Sequence, residues 1–241
     1  MVDEFLPTYE PRQVLDPADP VSIGAMVGPE AFLEVRYLAH VRQMQALARI
    51  PEIAADFGAV TGRVRDGLIS TYRMDDAELV VVALGSVLGT IKDAVDELRD
   101  AGQRVGVLGI TSFRPFPVEA VRSALAGVDT VVVLEKSLAV GIGGVVSSNV
   151  RTALADSATT TRTVIAGLGG RPILRSSISA MVRQALDGTL PELTFLDLKV
   201  DLVERELSRT REQRRSGPAA ENMLRDVAGV GDPHAVGRTR E

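Results

Sequence analysis

Cysteine and tryptophan are absent from this chain, histidine occurs twice in 241 residues, and aromatic residues make up 4%. Without cysteine the chain ligates no iron–sulfur cluster through thiolates. It holds no CxxC redox pair, no thiolate zinc site and no disulfide. Freedom from disulfides fits a reducing compartment, so a cytoplasmic location is the expectation. No apolar run reaches the length of a transmembrane helix. The start, MVDEFLPTYEP, has neither the basic nor the apolar region of a signal peptide, so no membrane association is expected. A net charge of −5 gives no electrostatic footprint for nucleic acid. His40 and His234 are too far apart in sequence to suggest a pair. GxSxG, HExxH and Asp-rich metal loops are missing, so no self-contained catalytic constellation is visible.

The scarcity of aromatics leaves Val, Leu, Ile and Ala to build the core, and their arrangement is informative. ELVVVALGS (78–86) is a short Val-rich run of the kind a strand buried on both faces shows. Ile91, Ala94, Val95 and Leu98 follow at i, i+3, i+4 and i+7, one face of a helix. RVGVLGIT (104–111) and VDTVVVLEK (128–136) read as further strands, and a fourth precedes GLGG. Strands alternating with helices predict an α/β fold: a parallel sheet in three layers, with helices on both faces. The last helix of that domain carries Ile178, Met181, Val182, Ala185 and Leu186 on one face, and LTFLDLK is expected at the sheet edge or over it.

The organisation around this core follows from composition. Residues 1–29, with five prolines, read as an extended connector. Pro29 and Glu30 open a helix to about Ala48, with Leu33, Tyr37, His40, Met44 and Leu47 on one apolar or half-buried face. Residues 30–75 are expected to form a helical segment packed on the sheet domain of 76–198. A charged helix (199–215) and a flexible tail (216–241) follow.

The loops carry the candidate sites. Gly85-Ser86 and Gly89-Thr90 lie between a strand and a helix, where free N–H groups and the helix dipole can hold an anion. The plainer reading is a tight βα turn capped by Ser86 or Thr90. FRPFP (113–117) places Arg114 between Phe113 and Phe116 at the carboxyl edge of the sheet; two aromatics flanking an arginine in a proline-stiffened loop suit a packed interface better than proton transfer. Glu135 and Lys136 end the third strand. Glu135 is either a general base or an ion-pair partner at an interface, with Arg114 as one geometric candidate. Gly141, Gly143 and Gly144 in GIGG permit tight turning and close approach of another surface, and Gly169 and Gly170 in GLGG are read the same way. These residues are the interface candidates; no catalytic, cofactor-binding or metal-binding residue is identified.

GSVLGTIKDAVDELRDAGQRVGVLGITSFRPFPVEAV (85–121), with EKSLAVGIGG (135–144), GLGGR (167–171) and LTFLDLKVDLVEREL (193–207), resembles the second domain of the α subunit of thiamine-dependent 2-oxoacid:ferredoxin oxidoreductases, of which pyruvate:ferredoxin oxidoreductase is one. FLPTYEPRQVLDPADPVSIGAMVGPEAFLEVRY (5–37) is similar to the segment that joins that family's first and second domains. The resemblance implies a fold like the C-terminal domain of transketolase. It also implies a complex that decarboxylates a 2-oxoacid on thiamine diphosphate and magnesium, passes electrons through iron–sulfur clusters to ferredoxin, and delivers the acyl group to coenzyme A. This chain would be a scaffold and subunit-interface piece, inactive alone, with thiamine and iron–sulfur polypeptides as partners. The family's first domain, with the pyrimidine-ring site and the cofactor-activating glutamate, is expected before Met1, through a split subunit, a start further upstream or a truncation. Two other readings stand beside this one. One is a free-standing anion- or nucleotide-binding regulatory module built on the GSxxGT turn; the other is a nonfunctional fragment that aggregates through helix 30–48.

Overall fold

The computed structural model describes residues 5–6, 8–11, 14–21, 24, 26–63, 66–212 and 219–228. They divide into two units, residues 1–196 and 197–241. The first unit holds a long helix α1 (Phe32–Thr61) and a six-stranded sheet: β1 (Ile69–Tyr72), β2 (Leu79–Ala83), β3 (Val105–Ile110), β4 (Thr130–Glu135), β5 (Thr160–Ile165) and β6 (Leu193–Phe195). Four helices connect these strands: α2 (Val87–Asp100), α3 (Val118–Ala124), α4 (Val145–Ala153) and α5 (Arg175–Leu186). The strand order is β1-β3-β2-β4-β5-β6.

The sheet is parallel from β3 through β6, and β6 takes the edge expected for LTFLDLK. Its other edge differs. β1 pairs antiparallel with β3, with Ile69 opposite Ile110 and Tyr72 opposite Val107. The expected helical segment 30–75 therefore ends in a strand. The direction has a simple cause: only residues 73–78 separate β1 from β2, too few for the crossover that a parallel arrangement needs.

Every residue of β2 and β3 is buried, because both sheet faces are covered. Leu79, Val81 and Ala83 face a core completed by Ile91, Val95 and Leu98 of α2 and by Ile178, Met181 and Val182 of α5. Val80 and Val82 face the opposite core, with Val121 of α3 and Val146 and Val150 of α4. The continuous Val run thus serves two cores through the two-residue period of a strand. Gly106 lies where there is no room for a side chain: a Cβ there would stand 2.8 Å from the Met74 sulfur and 2.9 Å from the Arg73 carbonyl oxygen.

Arg99, at the end of α2, ties the β1–β2 connection to the sheet. Its guanidinium donates to the carbonyls of Val105 (2.8 Å) and Arg73 (2.6 Å) and to the Asp76 carboxylate (2.6 Å). The Arg99 hydrogen bond holds the Asp76 carboxyl below its usual range.

α1 runs past the expected end at Ala48 and carries Pro51 inside it. It stops at Gly62, whose left-handed backbone lets its N–H donate to the Gly58 carbonyl at 2.9 Å. No residue on α1 is buried, and His40, expected half-buried, is exposed. Among the described residues of this unit, the first turns of α1 meet no counter-surface. His234 lies outside the described residues.

The second unit contains α6 (Val200–Glu212), within the span expected as a charged helix at 199–215, and α7 (Ala219–Val227); residues 213–215 lie outside the described residues. α7 falls inside the span expected to be a flexible tail, whose remainder beyond residue 228 is outside the described residues. Arg209 forks onto both Asp226 oxygens at 2.6 and 2.8 Å, and Asn222 donates to Glu206 at 3.4 Å, so a polar seam joins the two helices. Among the described residues, no helix is long and apolar enough to cross a membrane.

Two outcomes follow. Gly106→Ala forces a methyl group against a backbone carbonyl and a sulfur, and should lower unfolding stability in urea by about 1–3 kcal/mol; an unchanged midpoint contradicts the packing described. Asp76 has a folded-state pKa below its unfolded value, so its contribution is present above the unfolded value and fades as pH falls through the folded one. Asp76→Asn should therefore flatten the acid limb of the stability–pH curve below about pH 4, with identical acid limbs contradicting the assignment.

Candidate functional site

Because β2, β3, β4 and β5 run parallel, the loops that follow them emerge on one edge of the sheet. Those loops hold GSxxGT, FRPFP, EKSLAVGIGG and GLGG, so the topology gathers every punctuation motif of the sequence on the carboxyl edge, where α/β folds commonly place their working surface.

Glu135 lies at the centre of this edge. It is the last residue of β4 and 2% exposed. One carboxylate oxygen accepts hydrogen bonds from the Ser137 hydroxyl (2.8 Å) and from the backbone N–H groups of Val145 (2.8 Å) and Val146 (2.7 Å). The other accepts from the N–H of Ser147 at 3.0 Å. The first turn of α4 thus receives its cap from a residue about ten positions upstream, on another element. A carboxylate is favoured there because it meets orphan N–H groups and the positive end of the helix dipole together. Gly144, directly before α4, is required by the same contact: a Cβ at that position would overlap the Glu135 carboxylate.

The arrangement corrects the reading of Glu135 as a partner for Arg114. The Arg114 guanidinium instead stacks on the Phe113 ring at 4.1 Å and donates to the Phe113 carbonyl at 2.7 Å. Phe113 and Phe116 meet edge to face with centroids 6.2 Å apart, and both are half-buried against the core on the α3–α4 face. Arg114 is exposed, with a cis peptide bond to Pro115. Lys136 is exposed too, its stem close enough that a side chain at Gly167 would meet it.

Between Glu135 and α4 the chain folds into a tight turn. Ala139 and Gly143 exchange backbone hydrogen bonds at 2.7 and 2.8 Å, and Gly141 (φ 88°) and Gly143 (φ 114°) take conformations open to glycine. The tip of the turn projects Val140 and Ile142, 90% and 79% exposed. Sequence reading singled out the glycines and missed these two side chains; the signal lay in β-branched residues alternating with glycine. Leu168 and Leu174 are exposed on the loop after β5. Gly169 and Gly170 are exposed in the same loop, both with positive φ. In GSxxGT, Gly85 adopts φ 81°, and the N–H groups of Leu88 and Gly89 donate to the carbonyls of Gly85 and Ser86. Ser86 makes no side-chain cap to α2, so the turn closes through backbone alone.

This edge is built of rigid turns, exposed aliphatic and cationic side chains, and one carboxylate already engaged by four donors. Residues 77–178 match the family model of pyruvate:ferredoxin oxidoreductase core domain II. The chain carries this domain. Core domain II here includes every carboxyl-edge loop described above. The chain is 39% identical over 210 residues to pyruvate synthase subunit PorA of Methanosarcina barkeri, covering 84% of this chain and 52% of that protein. It is 36% identical to PorA of Methanothermobacter thermautotrophicus, covering 82% and 51%. It is 33% identical to ketoisovalerate oxidoreductase subunit VorA of Pyrococcus horikoshii, covering 75% and 47%. The chain spans about half the length of the curated relatives it matches.

The cap gives a direct test. Glu135→Gln retains one acceptor but turns an amide donor toward N–H groups, and should cost about 2–3 kcal/mol in urea unfolding. Gly144→Ala should destabilise by a similar amount through the same carboxylate. Two variants within 0.5 kcal/mol of the parent, a difference at the level of an unremarkable surface substitution, would show that the cap contributes nothing.

Proposed function

We propose that this chain is a scaffold and subunit-interface piece of a thiamine diphosphate-dependent 2-oxoacid:ferredoxin oxidoreductase. The observation that carries the reading is the 39% identity to a pyruvate synthase subunit along 84% of the chain. In the whole enzyme a 2-oxoacid loses carbon dioxide, a pair of electrons passes to ferredoxin, and the acyl group is transferred to the coenzyme A thiol. Pyruvate is the substrate that the first relatives' names favour.

The iron–sulfur clusters of such an enzyme find no thiolate ligands on this chain, which has no cysteine. Among the described residues no three His, Asp or Glu side chains group to hold magnesium. Glu135, the carboxylate at the centre of the carboxyl edge, has both oxygens committed to the cap of α4. In this reading thiamine diphosphate, magnesium and the clusters reside on other polypeptide segments. Core domain II supplies a rigid surface for them. Val140 and Ile142 are its anchors, since large aliphatic side chains held on a stiff turn lose little entropy on docking. Arg114, Lys136 and the glycine turns at 141–144 and 169–170 complete that surface.

The purified chain, given pyruvate, coenzyme A and a redox dye, should show no turnover, and turnover should appear when the oxidoreductase's other polypeptides are added. Activity of the chain by itself would end the scaffold reading. Ile142→Asp should weaken assembly by about tenfold or more while the thermal midpoint of the isolated chain stays unchanged. Undiminished assembly would remove this turn from the interface.

A further inference from the structure

Charge is divided unevenly between the two edges of the sheet. The chain as a whole carries a net charge of −5. The four loops that follow β2 to β5 run over 84–86, 111–117, 136–144 and 166–174. They contain Arg114, Lys136 and Arg171, all exposed, and no Asp or Glu. The opposite edge is formed by the connections 73–78, 101–104, 125–129, 154–159 and 187–192. Those carry seven Asp or Glu against two Arg. The first unit is therefore polarised, with its cationic end on an anionic chain.

Other charges near the carboxyl edge do not undo this. Glu135 is 2% exposed and engaged by the first turn of α4. Glu119 pairs with Arg122 at 2.7 Å, and Arg175 with Glu97 at 3.1 Å. Among the described residues, the lead into β1 adds one charge of each sign, Arg63 and Asp66. Sheet order sets the spacing of the cations. β3 and β4 flank β2, so Arg114 and Lys136 stem from loops about 10 Å apart, two strand spacings. The Lys136 stem lies against the loop after β5, the loop that carries Arg171: a Cβ at Gly167 would stand 3.0 Å from it. Such distances are close to the Debye length of about 8 Å at physiological salt, so an approaching surface meets the cations together. Val140 and Ile142 project from the same edge.

We propose that the carboxyl edge docks on an acidic face of a separate polypeptide, one that presents carboxylates around an apolar socket for Ile142. The inference rests on the interface reading above and specifies the partner's chemistry. Charge complementarity is its ground: a cationic patch steers encounter with an anionic surface and disfavours a partner of its own sign. A second copy of this chain could offer its own acidic edge. That contact would join two different edges head to tail and leave one edge of each kind open, so it extends into a chain of copies and gives no defined pair.

Association kinetics test this. The tagged chain is immobilised, and the oxidoreductase's other polypeptides, purified from the native cells free of this chain, are passed over it. The association rate should fall about tenfold or more between roughly 50 and 500 mM salt, with a much smaller change in dissociation. Lys136→Glu combined with Arg171→Glu should slow association at low salt by a similar factor and flatten the salt dependence, with the melting midpoint of the isolated chain unchanged. Lys136→Gln, which removes one charge and keeps the stem, should give an intermediate slowing, and it decides the matter if the double reversal lowers the midpoint. Asp156→Lys, on the opposite edge, should leave the rate unaltered. A salt-independent rate, or variants at Lys136 and Arg171 that associate as fast as the parent, overturns the acidic partner and leaves the scaffold reading standing. Salt-sensitive self-association of the chain that is lost in Asp156→Lys overturns it in favour of a second copy. Absence of association at either salt concentration overturns the scaffold reading and this inference with it.

Discussion

The carboxyl edge of this domain is organised by one carboxylate. Glu135 ends a buried strand, and its oxygens reach three backbone N–H groups of the next helix and one hydroxyl. A buried charge of this kind is costly unless its hydrogen bonds are made. Here they are made by groups that would themselves be orphaned at the start of a helix. The two deficits cancel, and the result fixes the distance between β4 and α4. The intervening chain must then close over a short span, and it does so as the Ala139–Gly143 turn with Val140 and Ile142 at its tip. The exposed anchors of the proposed interface are held in place by a cap a few residues away.

This arrangement bears on the division of labour proposed for the chain. A catalytic carboxylate needs a free lone pair or a transferable proton near its substrate. Glu135 is instead committed along both oxygens to the backbone. The rest of the edge follows the same logic: Phe113 and Phe116 brace the loop after β3 against the core, and Arg114 lies on Phe113 instead of reaching into a cleft. Such side chains make a stiff surface, and stiffness is what a subunit contact requires to limit the entropy lost on assembly.

Much of the fold was legible in the sequence because its strands are buried on both faces. LVVVA and TVVVLE have no rival reading once followed by helical spacing and glycine punctuation. β1 escaped because ISTY is four residues long, half-buried and polar at two of its positions, and its place is set by pairing with β3. The end of α1 escaped because Pro51 reads as a helix breaker, although a proline removes one hydrogen bond and a long helix tolerates it when its neighbours hold. The role of Glu135 was hidden for a different reason. Its partners are backbone N–H groups ten to twelve residues away, and a backbone donor has no sequence signature. The visible trace was Gly144, whose missing side chain makes room for the carboxylate, and it was read as freedom to turn.

The central claim is that this chain works as a non-catalytic piece of a larger oxidoreductase. Native mass spectrometry of the tagged chain, isolated from its own cells without crosslinking, addresses that claim most directly. The account predicts a defined assembly in which this chain is accompanied by polypeptides that carry thiamine diphosphate and iron–sulfur clusters. A chain recovered alone, monodisperse and with a small-molecule ligand of its own would contradict it.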